Sequence, residues 1–504
     1  MIADLMFGVF GLAVLIGIAY LFSVNKRAID WRLVFTGISL QLIFAIFVLL
    51  VPGVYVSRAV TYFVLTVAGL YLSYRLRNRL VQEDWKAKIF PVFIFLLTLV
   101  FAGVFVFSLF HDKKIFLPGG EEVFEAISTF FVTVINFTFD GAKFVFGVLS
   151  SQSDFEKVFP ADLQNKGFGF IFAFQVLPTI IFFSSLMSVL YHLGIMQKIV
   201  QAMAWVMAKA MRVSGAESLS VAANVFIGQT EAPLVVRPYV PGMTKSELLT
   251  LMVGGMATIA GGVLAAYVNI LGGSDPQLQV LYAKHLLSAS IMAAPATMVI
   301  AKILYPETEE SETKGEVKLR IERTAANVID AAATGAADGL KLALNVAAML
   351  LAFIALIAMI NYILEGVGSL TGFNDLIGRP LNLNLILGYA LSPLSWIIGV
   401  PWHDAIKVGS LIGEKIVINE FIAYVDLGKM VHSGLLSEKA QIISTYALCG
   451  FANFSSIAIQ IGGIGGIAPN RRSDLARFGL KAVLGGSLAT FMTATIAGVL
   501  TGLQ

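Results

Sequence analysis

Two acidic residues stand in small and apolar surroundings: Glu231 within Gln229-Thr230-Glu231-Ala232, and Glu420 within Ile418-Asn419-Glu420-Phe421. A carboxylate so placed can accept hydrogen bonds from hydroxyls, hold a cation, or exchange a proton. Two apolar stretches carry polar or glycine interruptions that could join them. In 251–266 (LMVGGMATIAGGVLAA) four glycines surround Thr258, Ile259 and Ala260, and in 449–466 Asn453, Ser455 and Ser456 interrupt an apolar run. Gly inside a helix costs about 1 kcal/mol relative to Ala, so the first stretch is expected to unwind or to pack very closely. Unwound backbone at membrane depth is tolerated only inside protein or around a ligand; small-residue helix packing is the competing reading for Gly261 and Gly262. Other polar groups offer less. His403-Asp404 has no third ligand at helical spacing and reads as a polar turn after Pro401; His111, His192, His285 and His432 are scattered. Asn136-Phe137-Thr138 and Asn453-Phe454-Ser455 match the N-glycosylation triplet, a frequent chance match, and no Walker A sequence points to ATP.

The elements that must position these residues are membrane helices. The chain of 504 residues is 57% hydrophobic and 13% charged, with mean hydropathy +0.83, whereas soluble domains carry about 25% charged residues. Its 35 Lys and Arg and 32 Asp and Glu are too few to cover several soluble domains, and a net charge of +3 excludes a nucleic-acid partner. The single cysteine, Cys449, excludes an intramolecular disulfide or a cysteine-based metal site. The apolar N-terminus lacks a basic leader and an obvious cleavage site, so it is expected to be a retained first span.

Stretches of about 20 apolar residues cross a bilayer core of ~30 Å. The clear ones are 4–23, 33–52, 55–74, 89–110, 168–192, 281–304, 342–363 and 478–500, and 246–271 and 438–466 are long enough but interrupted. Region 121–165 is expected to form an interfacial amphipathic helix with a loop, and 305–327 a long charged loop. Basic clusters at 24–32, 75–88, 198–212, 314–323 and 471–477 all fall inside if the N-terminus is outside. That requires segments near 216–241 and 402–428 to enter and leave on the same side.

The order of events repeats. Span 168–192, an apolar helix at 197–211, the motif around Glu231, a Ser246-Glu247 pair, an interrupted span and a full one recur later. The second copy is span 342–363, a helix at 384–400, the motif around Glu420, Ser437-Glu438, and again an interrupted and a full span. Each unit has three full crossings and one hairpin that does not cross, so the copies are inverted. Inverted repeats with broken helices point to a secondary transporter with its site near the midplane. The fold class expected is an all-α polytopic membrane protein with two re-entrant hairpins and two broken helices, a scaffold and a transport domain.

The stretch Gly228-Gln229-Thr230-Glu231-Ala232-Pro233, continued by LVVRPY to Tyr239, resembles a concentrative nucleoside transporter. So do Gly413 to Tyr424 (GEKIVINEFIAY) and Gly450 to Ser456 (GFANFSS), and the resemblance covers 1–52 and about 122–504. It implies a homotrimer in a cell (inner) membrane, importing nucleosides with a cation, usually Na+, by movement of a transport domain against a scaffold; no cofactor beyond the coupling ion is implied. The implied substrate residues are Gln229, Thr230 and Glu231 toward the base, with Val263 packing on it. Glu420, Asn453 and Ser456 fall toward the ribose, with Phe451 beside them. The implied sodium ligands are the side chains of Asn224 and Thr258 and the carbonyls of Ile227 and Ile259. Sodium-coupled members more often carry Ser at the Thr258 position, which leaves proton coupling through Glu231 as the alternative. The domain division expected is 1–121 (N-terminal scaffold with an inserted helix pair at about 54–120), 122–213 (interfacial helix, scaffold span and arm helix), 214–305 (first transport repeat), 306–326 (cytoplasmic loop), 327–400 (scaffold span and arm helix) and 401–504 (second transport repeat). Arg58 is the one charged residue within the two inserted spans, and the pair is expected to extend the scaffold without touching substrate.

Two other classes compete with this one. An intramembrane hydrolase would use Glu231 and Glu420 as acid and base, but paired-aspartate protease motifs, a serine–histidine arrangement and HExxH are absent. A passive channel would not need two hairpin motifs.

Overall fold

The computed structural model describes residues 2–49, 120–150, 171–273, 275–313 and 325–501. The spans expected at 55–74 and 89–110, the basic loop between them and residues 314–324 of the charged loop lie outside the described residues. All regular elements among the described residues are helical. In chain order they are α1 (Ile2–Leu21), α2 (Trp31–Leu49), α3 (Gly120–Phe146), α4 (Phe172–Gln175), α5 (Leu177–His192), α6 (Ile195–Met211), α7 (Gly215–Asn224), α8 (Ala232–Val235), α9 (Lys245–Ala257) and α10 (Gly261–Gly272). They continue with α11 (Pro276–Leu304), α12 (Val328–Leu370), α13 (Phe373–Ile377), α14 (Leu383–Ile397), α15 (Trp402–Val417), α16 (Glu420–His432), α17 (Glu438–Ala447), α18 (Phe454–Ile467) and α19 (Arg472–Thr501).

The repeat read from the sequence appears as matched elements. Helices α4–α5, α6, α7–α8, α9–α10 and α11 form one series, and α12, α14, α15–α16, α17–α18 and α19 the other. Eight helical segments among the described residues are long and apolar enough to cross a membrane. Their burial separates an inside from an outside: the apolar windows of α9–α10, α11 and α19 are 83%, 89% and 89% buried, against 22% for α1 and 17% for α12. The inner group packs together, α19 lying against α9, α11 and α17. Around it, α12 exposes Ile329, Leu351, Tyr362 and Leu370, an apolar outer face suited to lipid or a neighbouring subunit.

Several boundaries differ from the sequence reading. Helix α12 runs 43 residues, far beyond the apolar window 342–363, because its first turns carry Asp330, Asp338 and Lys341 and escape a hydropathy criterion. The helix expected at 384–400 ends at Ile397; Gly399, at φ +109°, turns the chain by 116° into α15. Region 121–165 opens with one continuous 27-residue helix, α3, whose apolar window meets the same length and composition test as the crossings. The Ser-Glu pairs are not in equivalent register: Thr244, not Ser246, caps α9, whereas Ser437 itself caps α17.

Capping boxes fix the base of the first hairpin. Ser214 and Glu217 close α7, and Thr244 and Glu247 close α9, each side chain meeting the other's backbone amide. The same carboxylates are tied sideways. Lys302 Nζ lies 2.7 Å from Glu217 Oε2, Ser311 Oγ donates to Glu247 Oε1 at 2.5 Å, and the Gly215 amide donates to Thr313 O at 2.9 Å.

Outside the inner group, Ala331, Gly335, Gly339 and Ala343 form a small-residue stripe that brings α12 onto α5. A Cβ on Gly339 would stand 2.8 Å from Ile181 Cα and 2.8 Å from Ser184 Cβ, and Ser185 Oγ donates to Ala332 O at 2.8 Å across the contact. Gly339→Leu is therefore expected to destabilise the protein by about 1–3 kcal/mol through overpacking, measured as a lowered unfolding temperature in detergent.

Candidate functional site

Both broken helices stop where the sequence weakens them, and each break meets a hairpin tip or the other break. Helix α9 ends at Ala257; Thr258 and Ala260 are extended before α10 begins at Gly261. The Gly261 amide donates to Phe226 O at 3.1 Å, tying this break to the turn after α7. Helix α17 ends at Ala447, and α18 starts only after Asn453. Between them Gly450 adopts φ +154°, where a Cβ would lie 2.6 Å from Met256 O and 2.9 Å from Ala257 C. Only glycine lets the two breaks cross at that distance.

A cavity of about 160 Å³ opens where hairpin tips and breaks converge. All eight substrate residues expected from the sequence line it: Gln229, Thr230 and Glu231 from the first tip, Val263 from α10, Glu420 from the second tip, and Phe451, Asn453 and Ser456 from the second break. Leu342, Val346, Met349 and Leu350 of α12 close the opposite wall. None of Asn224, Ile227, Thr258 and Ile259 lines this cavity. They lie at the end of α7, in the following turn and in the first break.

The two glutamates differ sharply. Glu420 is 5% exposed and held on both sides: Tyr267 OH donates to Oε1 at 3.2 Å and Asn453 Nδ2 to Oε2 at 2.9 Å. Tyr267 is itself fixed, stacked on Tyr424 with ring centroids 4.0 Å apart. Asn453 works twice, its Oδ1 also capping α18 by accepting from the Ser456 amide at 2.9 Å. Glu231, by contrast, is exposed at the cavity and makes no side-chain cap at the start of α8. This pairing of one locked and one open carboxylate, separated by the polar groups between the tips, is arranged to bind.

The Gln229 amide has only one consistent orientation. Gln460 Nε2 donates to the Met252 carbonyl at 3.0 Å, which fixes that atom as nitrogen, since a carbonyl only accepts. The same nitrogen lies 3.1 Å from Gln229 Oε1, which must then be oxygen. Gln229 Nε2 is left to donate to Ser456 Oγ at 3.0 Å. These assignments leave Gln229 one N–H and one lone pair of Oε1 to offer a ligand.

Sequence reasoning missed Gln460, Tyr267 and the α12 wall. Gln460 stands one helical turn beyond Ser456, a signal that could have found it; the α12 residues look the same in sequence as a lipid-facing stripe. His403-Asp404 is a structural tie. Asp404 Oδ2 accepts from the Ser437 amide at 3.0 Å and Ser437 Oγ at 2.7 Å, joining the start of α15 to that of α17. His285 lies 3.3 Å from Tyr446 OH, and His432 3.1 Å from Ile270 O.

Hairpins that turn back within the protein, facing two broken helices across one polar cavity, are the build of a secondary transporter. Comparison with known proteins makes the class specific. Family models described as "Na+ dependent nucleoside transporter N-terminus", "Nucleoside recognition" and "Na+ dependent nucleoside transporter C-terminus" match residues 10–68, 173–274 and 285–498. The chain is 40% identical over 393 residues to "Nucleoside permease NupC" of Helicobacter pylori, covering 77% of this chain and 88% of that one. It is 48% identical over 381 residues to "Uncharacterized transporter YutK" of Bacillus subtilis, covering 75% and 87%. Among solved structures, CNTnw in an inward-facing substrate-bound state matches with TM-score 0.78 and 40% identity over 99% of both chains. A substituted form of CNTnw in an outward-facing state matches with TM-score 0.77 and 40% identity, over 99% of this chain and 98% of that one. The chain belongs to the concentrative nucleoside transporter family. It is a sodium-coupled nucleoside symporter that works by alternating access, and its relatives are transporters, so the hydrolase and channel readings fall.

Asn453 is the residue on which cap and carboxylate both depend. Asn453→Ala is expected to cost about 1–3 kcal/mol, from the lost cap and the lost donor to Glu420. Asn453→Ser keeps a capping oxygen and should fall between, both read as unfolding temperatures in detergent.

Proposed function

We propose that this site divides a nucleoside between its two ends, with the sugar at the second hairpin and the base at the first. The observation that carries the reading is the fixed Glu420 carboxylate on the cavity wall. A carboxylate offers about four acceptor positions; Tyr267 and Asn453 use one each, and the remainder suit the vicinal hydroxyls of a ribose, with Ser456 at hand and Phe451 beside the ring. Gln229, fixed in orientation by Gln460, keeps one N–H and one lone pair for the base edge; Thr230 and Glu231 complete that end and Val263 packs on the base.

Sodium sits, on this reading, behind the first tip, held by the side chains of Asn224 and Thr258 and the carbonyls of Ile227 and Ile259. Helix polarity favours it. Helices α7 and α9 both end there, and C-terminal ends carry partial negative charge. Asn224 Oδ1 is buried with no hydrogen-bond partner among the described residues. Helices α10, α16 and α18 instead turn their N-terminal residues to the cavity, which favours carboxylate and hydroxyl oxygens.

The same reading takes residues 214–305 and 401–504 as the moving transport domain. Residues 1–121, 122–213 and 327–400 form the scaffold, linked by the loop 306–326. The heavily exposed face of α12 supports a homotrimer, and the bacterial relatives support the inner, cytoplasmic membrane as the location.

Uptake into proteoliposomes tests the assignment. Glu420→Gln should lower kcat/KM for uridine about tenfold or more and narrow the gap between uridine and 2′-deoxyuridine. Gln229→Ala should leave that gap and relax discrimination among bases; equal losses for ribo- and deoxynucleosides in both variants would refute the division. Asn224→Ala should raise the Na+ concentration for half-maximal uptake about tenfold. Accumulation driven by a pH gradient alone would instead favour Glu231 as the coupling group.

A further inference from the structure

Lys415 is fully buried in α15, yet nothing in the transport reading uses it. Its ammonium meets no carboxylate within ion-pair distance among the described residues. Nζ donates to the Ala447 carbonyl at 2.8 Å and to Thr490 Oγ1 at 2.9 Å, and it lies 5.6 Å from the centre of the Phe491 ring. A buried charge is retained only where fixed dipoles replace its water. Here they come from helix ends: α15 stops at Val417, two residues past Lys415, and α17 stops at Ala447, whose carbonyl accepts from the ammonium.

The first repeat shows what this arrangement corresponds to. Measured along the chain from the caps of the two broken helices, Thr244 and Ser437, Gly254 stands in the register of Ala447 and Thr297 in that of Thr490. Gly254 and Thr297 pack beside Asn224: a Cβ on Gly254 would lie 3.3 Å from Asn224 Nδ2 and 3.6 Å from Thr297 Cγ2. Thr258 Oγ1 donates to the Gly254 carbonyl at 2.9 Å. Asn224 Oδ1 and Thr297 Oγ1 are both buried without a hydrogen-bond partner among the described residues. Each repeat therefore brings the end of a hairpin helix, the end of a broken helix and a threonine of the following crossing together. One of them presents partner-free oxygens, the other a lysine bonded to the equivalent carbonyl and threonine.

We propose that Lys415 is the resident cation of the second repeat, its ammonium occupying the place that the coupling Na+ takes in the first. The protein then binds one Na+ per nucleoside, and Thr297 belongs to the surroundings of that ion. The proposal rests on the reading of Asn224 and Thr258 as sodium ligands.

Reconstituted full-length protein tests it at clamped voltage. Wild type should move one positive charge per uridine; two charges would show that the second repeat also takes an ion, and would overturn the proposal. Lys415→Met keeps the length of the side chain and removes the charge. At a Na+ concentration saturating for wild type its uptake should fall at least about tenfold, with a Na+ Hill coefficient rising from about 1 toward about 2 as a second ion enters. Lys415→Arg should keep a coefficient of about 1. Wild-type uptake and Na+ dependence in Lys415→Met would overturn the proposal, and if that variant fails to assemble, the charge ratio of wild type decides. Asn224→Ala in parallel reports on the sodium reading by itself: a shifted Na+ half-saturation supports it, and an unchanged one overturns both that reading and the comparison of the repeats.

Discussion

Backbone that leaves a helix inside a bilayer must find its hydrogen-bond partners within the protein, and the centre of this transporter is organised by that requirement. The break at 258–260 is tied to the first hairpin through the Gly261 amide and Phe226 O. The break at 448–453 crosses it, with Gly450 set against the end of α9. The Asn453 side chain closes the start of α18 and in the same place holds Glu420. Groups that repair the backbone are the groups that line the cavity. A site built this way cannot be loosened without also loosening the helices that carry it.

The same breaks sort charge by direction. Each interrupted helix presents a negative end and, a few residues later, a positive one. Negative ends of α7 and α9 meet behind the first tip, and those of α15 and α17 meet around Lys415; positive ends of α10, α16 and α18 face the cavity. The places proposed for cation and nucleoside are thereby separate but adjacent, joined by the turn from Asn224 to Glu231. A ligand in one place braces backbone that the other depends on, which is a physical route for coupling that needs no direct contact between ion and substrate.

Much of this was legible in the sequence because membrane residence forces regularity. Span positions, the two Glu motifs and the glycine-rich and Asn/Ser-rich interruptions all mark places where the structure departs from a plain crossing helix. Legibility stopped where a residue's meaning depends on its neighbour across the fold. Glu231 and Glu420 look equivalent in their motifs, yet one is open and the other is locked by Tyr267, 153 positions away in sequence. Gln460 orients Gln229 across a still longer gap. Leu342 and Val346 face the cavity, while Leu351 and Ile354, a turn or two along the same helix, face outward; hydropathy scores them alike. The start of α12 was hidden for the opposite reason, because its charged first turns are too polar for an apolar window.

The two hairpins are not copies, and their difference agrees with the assignment of charge. In the first, regular helix stops at Asn224 and resumes only for the four residues of α8, leaving 225–231 irregular. In the second, only Ile418 and Asn419 separate α15 from α16. A hard cation takes oxygen ligands stripped from regular hydrogen bonding, so a hairpin that holds Na+ needs a length of turn that frees its carbonyls. A hairpin whose cation is a lysine on its own helix has no such need: Lys415 reaches Ala447 and Thr490 from within α15, and the helix can run nearly to the tip. On the proposed assignment the long turn goes with sodium and the short turn with lysine, so that the backbone of each hairpin follows from where its positive charge comes from.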